Sequence, residues 1–483
     1  MANRLGGGRV ADLNLPPGDD GEEAPPLAEE VDRISALPPK ARAHIVSFLP
    51  LKSAISLQVA STGWYAFFTK SQAPRDFVVK LRIRSADAVP RLIDKLNRRG
   101  RGTRLLHFFV TLDGGEVRPG EFWFFLDYAA SCGAENIHVD ARLGPPALCF
   151  SFQRTSPRLV RLSLCGVRVT ATRHPGAFGR SIPTLEFIRI QSTDLEDGNL
   201  RMILLWCPRL RVLDLRHCGG VTRVDLTSAS AHLMSLIVAE CPEVTVISAT
   251  AAHDLRSFRY SGGYLSYLAL PAAAYFGDLY MCFRRLKGPL PSRNWLHVLP
   301  NLSDLTVLTI CSNALGMFSA MRKGGANTEW PKLDNLRSLR ELQLLMFAMT
   351  TLHLSHIYGF LKSCSCSQLK KLFVQLPKGG KESFKDALRE LGEEPPKYCL
   401  ENLVMTKITN FKWQCNEIEL VHFLFRQASN LQKMVLVAPQ GVSPAGADIL
   451  LLGKPPANAE LLVLSYSSGA KIRAFHRYTF FVY

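Results

Sequence analysis

The sequence predicts an α/β chain: a short helical segment near the amino end, then a solenoid of stacked repeats with parallel strands on its concave face. Three observations carry this. One apolar spacing recurs about ten times at near-constant intervals through most of the chain. Each recurrence ends in two alternating apolar positions, which suit one face of a short strand. The stretch from Asp32 to Phe68 is apolar and helically patterned, and at about 35 residues it cannot bury a sizeable core alone.

The amino end comes first. Residues 1–31 contain GGG, PPG and APP with few large apolar residues, which predicts a disordered acidic Gly/Pro-rich tail. Residues 1–32 sum to about −6, leaving the rest of the chain near +23 against +17 overall. That charge is spread along the chain, so it does not single out nucleic acid as a partner. Hydrophobic residues make up 47% and charged residues 20%, a globular composition. No apolar run approaches the ~20 residues of a membrane span, and the first residues lack the apolar core of a secretory signal. Twelve cysteines lack CxxC spacing, and Cys165, Cys207 and Cys241 sit on apolar runs as small hydrophobes. These points predict an intracellular protein of the nucleus or cytoplasm.

Next is the segment 32–70. Leu37-Pro38, then Ile45, Val46, Phe48 and Leu49, fall at helix-like spacing, and Pro50 stops that run. Ser53 is placed to cap a second helix and Thr62 a third, which carries Trp64, Phe67 and Phe68. Residues 71–100 read as a linker and repeat cap.

The repeats fill residues 101–397. The unit is Leu-x-x-Leu-x-Leu with apolar substitutes. It occurs at Leu159/Leu162/Leu164, Leu185/Ile188/Ile190, Leu210/Leu213/Leu215, Leu233/Leu236/Val238 and Leu255/Phe258/Tyr260. It continues at Leu339/Leu342/Leu344, Leu369/Leu372/Val374, Leu400/Leu403/Met405, Leu431/Met434/Leu436 and Leu461/Leu464/Tyr466. Leu302/Leu305 begins another, and Leu105/Phe108/Val110, Ala134/Ile137/Val139 and a unit at Leu279 fit more loosely. One unit cannot bury its apolar face, whereas stacked neighbours form a continuous core. This is the period of leucine-rich repeats. Pro157, Pro183 and Pro208 precede a first Leu, where proline stops a helix and favours an extended lead into the strand. Residues 311–331 break the spacing and read as an inserted loop with Gly324-Gly325 at its tip. Segment 398–470 reads as a strand, loop, helix and strand, with Glu417 and Glu419 in the first helical turn, where the dipole favours anions. Residues 471–483 are a C-terminal strand or tail.

Three features in this order resemble one family. Asp32-Arg33-Ile34-Ser35-x-Leu37-Pro38, Ile45-x-Ser47-Phe48-Leu49-Pro50-x-Lys52-x-Ala54 and Trp64 look like a plant F-box of three helices. The middle resembles plant F-box leucine-rich repeats. Residues 398–437 are similar to the FBD region, through Leu400-Glu401-Asn402-Leu403, Lys407-Ile408-Thr409-x-Phe411, Asn416-Glu417-x-Glu419-Leu420-Val421, Phe423-Leu424 and Leu431-x-Lys433-Met434. The chain departs from the F-box pattern at Lys40 and Arg42, where acids are usual, and at Gly63, where a basic residue is usual.

The resemblance implies the substrate-recognition subunit of a Skp–cullin–F-box ubiquitin ligase. The F-box would dock a Skp-type adaptor, and through it a cullin, while the repeats hold an unidentified protein substrate. Carried over by position, the adaptor-facing residues are Leu37, Pro38, Ile45, Phe48, Leu49, Pro50, Leu51 and Trp64. Such a receptor does no chemistry and needs no cofactor. Two other readings stand beside it: an interaction scaffold outside the cullin complex, motivated by Lys40 and Gly63, and a basic nucleic-acid-associated protein, motivated by the charge.

Catalytic patterns are missing from the sequence. Gly453-Lys454 has Asp448 where a P-loop needs glycine and Pro455 where it needs Ser or Thr, and no G-x-S-x-G or H-E-x-x-H occurs. His217 and Cys218 are adjacent, which on a strand points them apart. Cys364 and Cys366 have no second pair at metal-binding spacing. Strand residues of opposite parity to the buried apolars should face outward. Arg189, Asp214, Arg216, Ser257 and Arg259 meet that test and are the candidates for substrate contact.

Overall fold

A computed structural model describes residues 77–476 apart from 102–103, 115, 153–154, 171–181, 227–230, 273–274, 286–301, 321–335, 365–366, 379–394, 398–399, 443–450 and 467–472. Ahead of these it describes Leu37, Pro38, Ala41, Arg42, Ile45, Ser56, Leu57 and Trp64. The chain divides into two compact units, Met1–Ser71 and Gln72–Tyr483.

In the larger unit, fifteen described strands form one parallel sheet in strict sequence order. They are β1 (Val78–Ile83), β2 (His107–Leu112), β3 (Asn136–Asp140), β4 (Arg161–Cys165), β5 (Phe187–Gln191), β6 (Val212–Arg216), β7 (Ser235–Ala239) and β8 (Ser257–Gly263). Then come β9 (Asp278–Arg285), β10 (Val307–Cys311), β11 (Glu341–Leu345), β12 (Lys371–Gln375), β13 (Met405–Thr409), β14 (Lys433–Val437) and β15 (Glu460–Leu464). Each strand pairs with its neighbours in sequence, as the stacked-repeat reading requires. The sheet begins at Val78, inside the segment read as linker and cap.

Register explains the repeat. Leu162, Ile188, Leu213, Leu236, Phe258 and Leu279 align across β4–β9, and Leu164, Ile190, Leu215, Val238, Tyr260 and Met281 align two residues on. Both rows are buried in one continuous core. On the core side the crossovers carry helices α1 (Ala88–Arg99), α2 (Pro119–Ser131), α3 (Asp197–Trp206), α4 (Ser312–Ala320), α5 (Thr351–Ser363) and α6 (Cys415–Gln427). Where the repeats are shortest, short strands replace the helix, and Arg223–Asp225, Val246–Ser248 and Tyr267–Ala269 make a small parallel sheet of their own. Eight of the ten described cysteines are buried, Cys165, Cys207 and Cys241 among them.

Three sequence expectations need correction. The segment 311–331 is not a loop in its first half, because residues 312–320 form α4. Ala314, Leu315, Met317 and Phe318 are buried at helical spacing, and Phe318 meets Phe360 of α5 edge-on at 5.7 Å. Gly316 disguised this helix, although a Cβ there would meet His356 of α5 only at an ordinary contact distance of 3.5 Å. Gly324-Gly325 lies outside the described residues. The second correction concerns the prolines. Pro157, Pro183 and Pro208 sit one residue inside tight turns closed by Leu159 N to Ser156 O, Leu185 N to Ile182 O and Leu210 N to Cys207 O. They fit there because proline presets the turn's second position, and they do not extend the chain.

The third correction is a register slip of three. The same turn closes from Leu305 to Leu302 and from Leu403 to Leu400, and its first residue is itself buried. A Leu-x-x-Leu there is the turn, and the strand pair follows. In the unit near 400 the core positions are therefore Thr406 and Ile408, aligned with Leu372 and Val374, and Met405 faces outward. Near 461 the core pair is Leu461 and Val463. An odd slip exchanges the two faces of a strand.

After several strands one residue takes the left-handed backbone conformation while its N–H still bonds the next strand. These are Gly166 (φ 69°), Ser192 (54°), His217 (49°) and Glu240 (55°); Asn410 (62°) adopts the same conformation after β13, where the following N–H, that of Phe411, bonds Val437 O. Gly166 is the tightest, since an added Cβ would lie 2.7 Å from the backbone of Ala141 and Arg142. Gly166→Ala therefore costs about 2 kcal/mol from strain and overpacking together, read as a lower denaturant midpoint. Of segment 398–470, β13, α6 and β14 follow in the expected order. Glu417, fully buried, accepts from the N–H groups of Lys412 (2.7 Å) and Gln414 (3.3 Å) and closes the first turn of α6. No strand occurs among the described residues of segment 471–483.

In the smaller unit Ala41, Arg42, Ile45, Ser56 and Trp64 are helical. Arg42 turns inward, with its N–H on Pro38 O (3.0 Å) and its Nε–H on Leu37 O (2.8 Å).

Candidate functional site

The sheet's outward face carries the polar residues, because every strand position between the two core rows points there. All five candidates lie on it, but they do not all present themselves to a partner. Asp214 is 0% exposed. Its carboxylate accepts from Arg189 Nε (2.7 Å) across the strand pair β5–β6 and from Arg216 Nε (2.7 Å) and Nη2 (3.0 Å) along its own strand. Asp214 is therefore no direct contact residue. It fixes two guanidinium groups, of which Arg189 is the more open. Sequence parity gave the correct face, but burial depends on the arginines lying over the aspartate, which parity cannot register.

Around this triad the first third of the outward face alternates cations with rings. Arg161 lies 4.3 Å and Arg189 5.5 Å from the centroid of Phe187. Lys80 lies 5.6 Å from the ring of Phe109, which also stacks on His107 (5.7 Å) and tilts against His138 (5.8 Å). Burial holds the His107 and His138 imidazoles below the ordinary histidine range, so both are neutral at pH 7. Sequence reasoning missed Lys80, Phe109, Arg161 and Phe187. They occupy the same parity as the chosen residues in strands that precede or lead the clear repeats.

The middle of the face is built differently. Ser257 Oγ (3.0 Å) and Arg259 Nε (3.0 Å) both donate to Asp278 Oδ1. The same oxygen accepts from His476 Nε2 at 2.7 Å. A carboxylate only accepts, so Nε2 carries the proton, and Nδ1 is left to accept from the Thr309 hydroxyl at 2.6 Å. Tyr280 meets the imidazole edge-on at 5.6 Å, and Phe475 N–H donates to Glu341 Oε1 at 2.6 Å. Residues near the carboxyl end thus lie across β9–β11, 134 to 198 positions away in sequence. Ser257 and Arg259 are joined to this arrangement and only partly open. No signal in Arg473-Ala474-Phe475-His476 marks it in advance.

Burial is the main influence on His476 and lowers its basicity, against the opposing pull of Asp278. Burial alone would raise Asp278, but its bonds to His476 and Arg259 outweigh this and hold it below the usual carboxylate range. Asp278, Glu341, Arg259, Thr309 and Tyr280 are the groups facing His476. A histidine depressed in the docked state contributes its full stability above its free pKa of about 6.5 and loses it progressively as pH falls below that value through the lowered docked-state pKa. Tryptic cleavage after Arg473 should accordingly accelerate between pH 7 and pH 5.5. Cleavage that slows over that interval once trypsin's own pH profile is divided out would contradict this.

Against known proteins, residues 144–446 match the At1g61320/AtMIF1 leucine-rich-repeat domain model, from just ahead of β4 to just beyond β14. The chain belongs to this leucine-rich-repeat family. The matched residues include Arg161, Phe187, the Asp214 triad, Asp278, Thr309 and Glu341, whereas Lys80, Phe109, His138 and His476 lie outside them. Two curated relatives from Arabidopsis thaliana are similar. The putative F-box/LRR-repeat protein At5g54820 is 22% identical over 89% of this chain and 95% of its own length. The putative F-box/LRR-repeat protein At3g18150 is 25% identical over 64% of this chain and 66% of its own.

In the amino-terminal unit Pro38 and Ile45 (38% exposed) are open, Leu37 is half-buried, and Trp64 is 2% exposed. Trp64 is thus a packing residue of the interior, unlike the other three. Phe48, Leu49, Pro50 and Leu51 lie outside the described residues. Among the described residues no group of three or more His, Cys, Asp or Glu side chains is placed to hold a metal ion, and no helix is long and apolar enough to cross a membrane.

Proposed function

We propose that this chain is the substrate-recognition subunit of a Skp–cullin–F-box type ubiquitin ligase. Residues 32–70 are its F-box, and the outward face of the repeat sheet is its substrate surface. What carries the reading is the order of parts. An apolar helical stretch too short to stand alone precedes a parallel sheet whose outward face is lined with arginines and aromatic rings. Some 89% of the chain aligns with 95% of the length of a protein named as a putative F-box/LRR-repeat protein. Leu37, Pro38, Ile45, Phe48, Leu49, Pro50 and Leu51 contact the adaptor, and Trp64 holds the helices that present them. Arg189, Arg216, Ser257 and Arg259 contact substrate, with Asp214 as their anchor. Segment 398–470 is an FBD-like region that ends the array. The receptor is non-catalytic: it raises the effective concentration of a substrate lysine near a charged conjugating enzyme. The cationic face suits acidic or aromatic side chains, and cation–ring contacts of this kind contribute about 0.5–1 kcal/mol each when exposed.

Proximity labelling in plant cells with the proteasome blocked tests the role. The expected labelled set contains a Skp-type adaptor, a cullin and at least one protein that accumulates on blockade. A set with repeat-surface partners but neither ligase subunit would replace the proposal by the scaffold reading.

A further inference from the structure

The residues on the outward face of β9–β11 are as buried as core residues. Tyr280, Thr309 and Gln343 align directly across those strands, and all three are at most 1% exposed. The Ala474–His476 segment lies over this patch. His476 is 1% exposed and joins Asp278 on β9 to Thr309 on β10, while the backbone of Phe475 is read by Glu341 on β11. The Phe475 ring is 54% exposed, with Arg259 5.8 Å from its centroid. Two consecutive residues thus make one backbone and two side-chain hydrogen bonds to three adjacent strands. Main-chain hydrogen bonds for affinity and side-chain contacts for specificity are the two means by which proteins hold a peptide.

The occupant does not complete the patch. Gln343 is fully buried, and its Nε2–H donates to Glu341 Oε1 at 2.6 Å. Its Oε1 has no hydrogen-bond partner among the described residues. A buried acceptor left unpaired is a standing cost that an added N–H or O–H donor would remove.

We propose that the outward face of β9–β11 is a peptide-binding cleft, that the chain's own Ala474–His476 fills it at rest, and that its external ligand is a peptide presenting an aromatic residue followed by histidine. Asp278 and Thr309 select the imidazole, Glu341 takes the preceding backbone N–H, and Gln343 Oε1 awaits a donor that the resident segment does not supply. An external peptide wins only by displacing the segment, which competes at the high effective concentration of a tethered ligand. The inference deepens the receptor reading by naming a ligand class. Its test needs no adaptor, so the two succeed or fail separately.

The probe is a fluorescein-labelled Gly-Gly-Ala-Phe-His-Gly-Gly peptide titrated into the full-length chain. His476→Ala should bind it about tenfold more tightly than the unsubstituted chain, because the resident competitor is weakened. Adding Asp278→Asn should abolish that gain, and a probe with alanine in place of histidine should show none. Equal binding by the unsubstituted chain and a folded His476→Ala variant would overturn the proposal. A second measurement covers the case in which His476→Ala does not fold. In the unsubstituted chain, excess unlabelled peptide should speed tryptic cleavage after Arg473 about threefold by releasing the segment, and the alanine probe should not. Cleavage unchanged by the peptide would also overturn the proposal.

Discussion

Leu215→Ala lowers the stability of the repeat array by about 3 kcal/mol, within the range of about 2–5 for emptying a filled core site. Leu215 is fully buried on β6, between Ile190 on β5 and Val238 on β7, in the inner of the two core rows. The strands on both sides are themselves locked in the same row, so the site cannot collapse around the lost methyls. In a stacked array each unit touches only its neighbours, so the loss is local before it is global. Amide exchange should therefore speed first in β5, β6 and β7, while β13 and β14 keep their protection. Uniform acceleration along the whole sheet would show that the array opens as a single unit instead.

Asp214→Ala, one position away and on the opposite face, costs a comparable amount for a different reason. Removing one partner from a buried ion pair costs about 3–5 kcal/mol. The lower end, about 3, applies here because Arg189 keeps access to water. The substitution leaves Arg216 without its two-bond partner and Arg189 without its cross-strand bond. Replacing Arg216 by methionine in the Asp214→Ala background should recover part of the loss, since a largely buried charge that has lost its two bonds to Asp214 goes with it. Additive losses in the double variant would contradict the account of Asp214 as the anchor of both arginines.

These two neighbours show how far sequence reasoning reaches. Leu213 and Leu215 declare the strand and its core face through period-2 alternation, and the same parity put Asp214 and Arg216 outward. What failed was local. Leu302 and Leu400 mimic strand leucines because a turn with a buried first residue also repeats every three positions. Thr406 occupies a core position that no apolar pattern would assign to it. Gly316 hid α4, since glycine is a poor helix former and the burial that holds this helix comes from α5, 40 positions away. The His476 contacts were out of reach altogether, because they join positions 278 and 476 through tertiary folding alone. The site was legible as a face, and its division into an open cationic part and a filled central part was not.

The receptor role rests most heavily on the amino-terminal unit, where Pro38 and Ile45 are open while Arg42 is turned back onto Leu37 and Pro38. Arg42 thus serves the unit's own first helical turn. The decisive measurement is co-purification of the full-length chain with a Skp-type adaptor, alongside the Leu37→Ala/Pro38→Ala variant. The account predicts a complex that survives gel filtration with the unsubstituted chain and is lost with the double variant, while amide protection of the repeat sheet is unchanged. Undiminished co-purification of the double variant, or no complex with either chain, would contradict it.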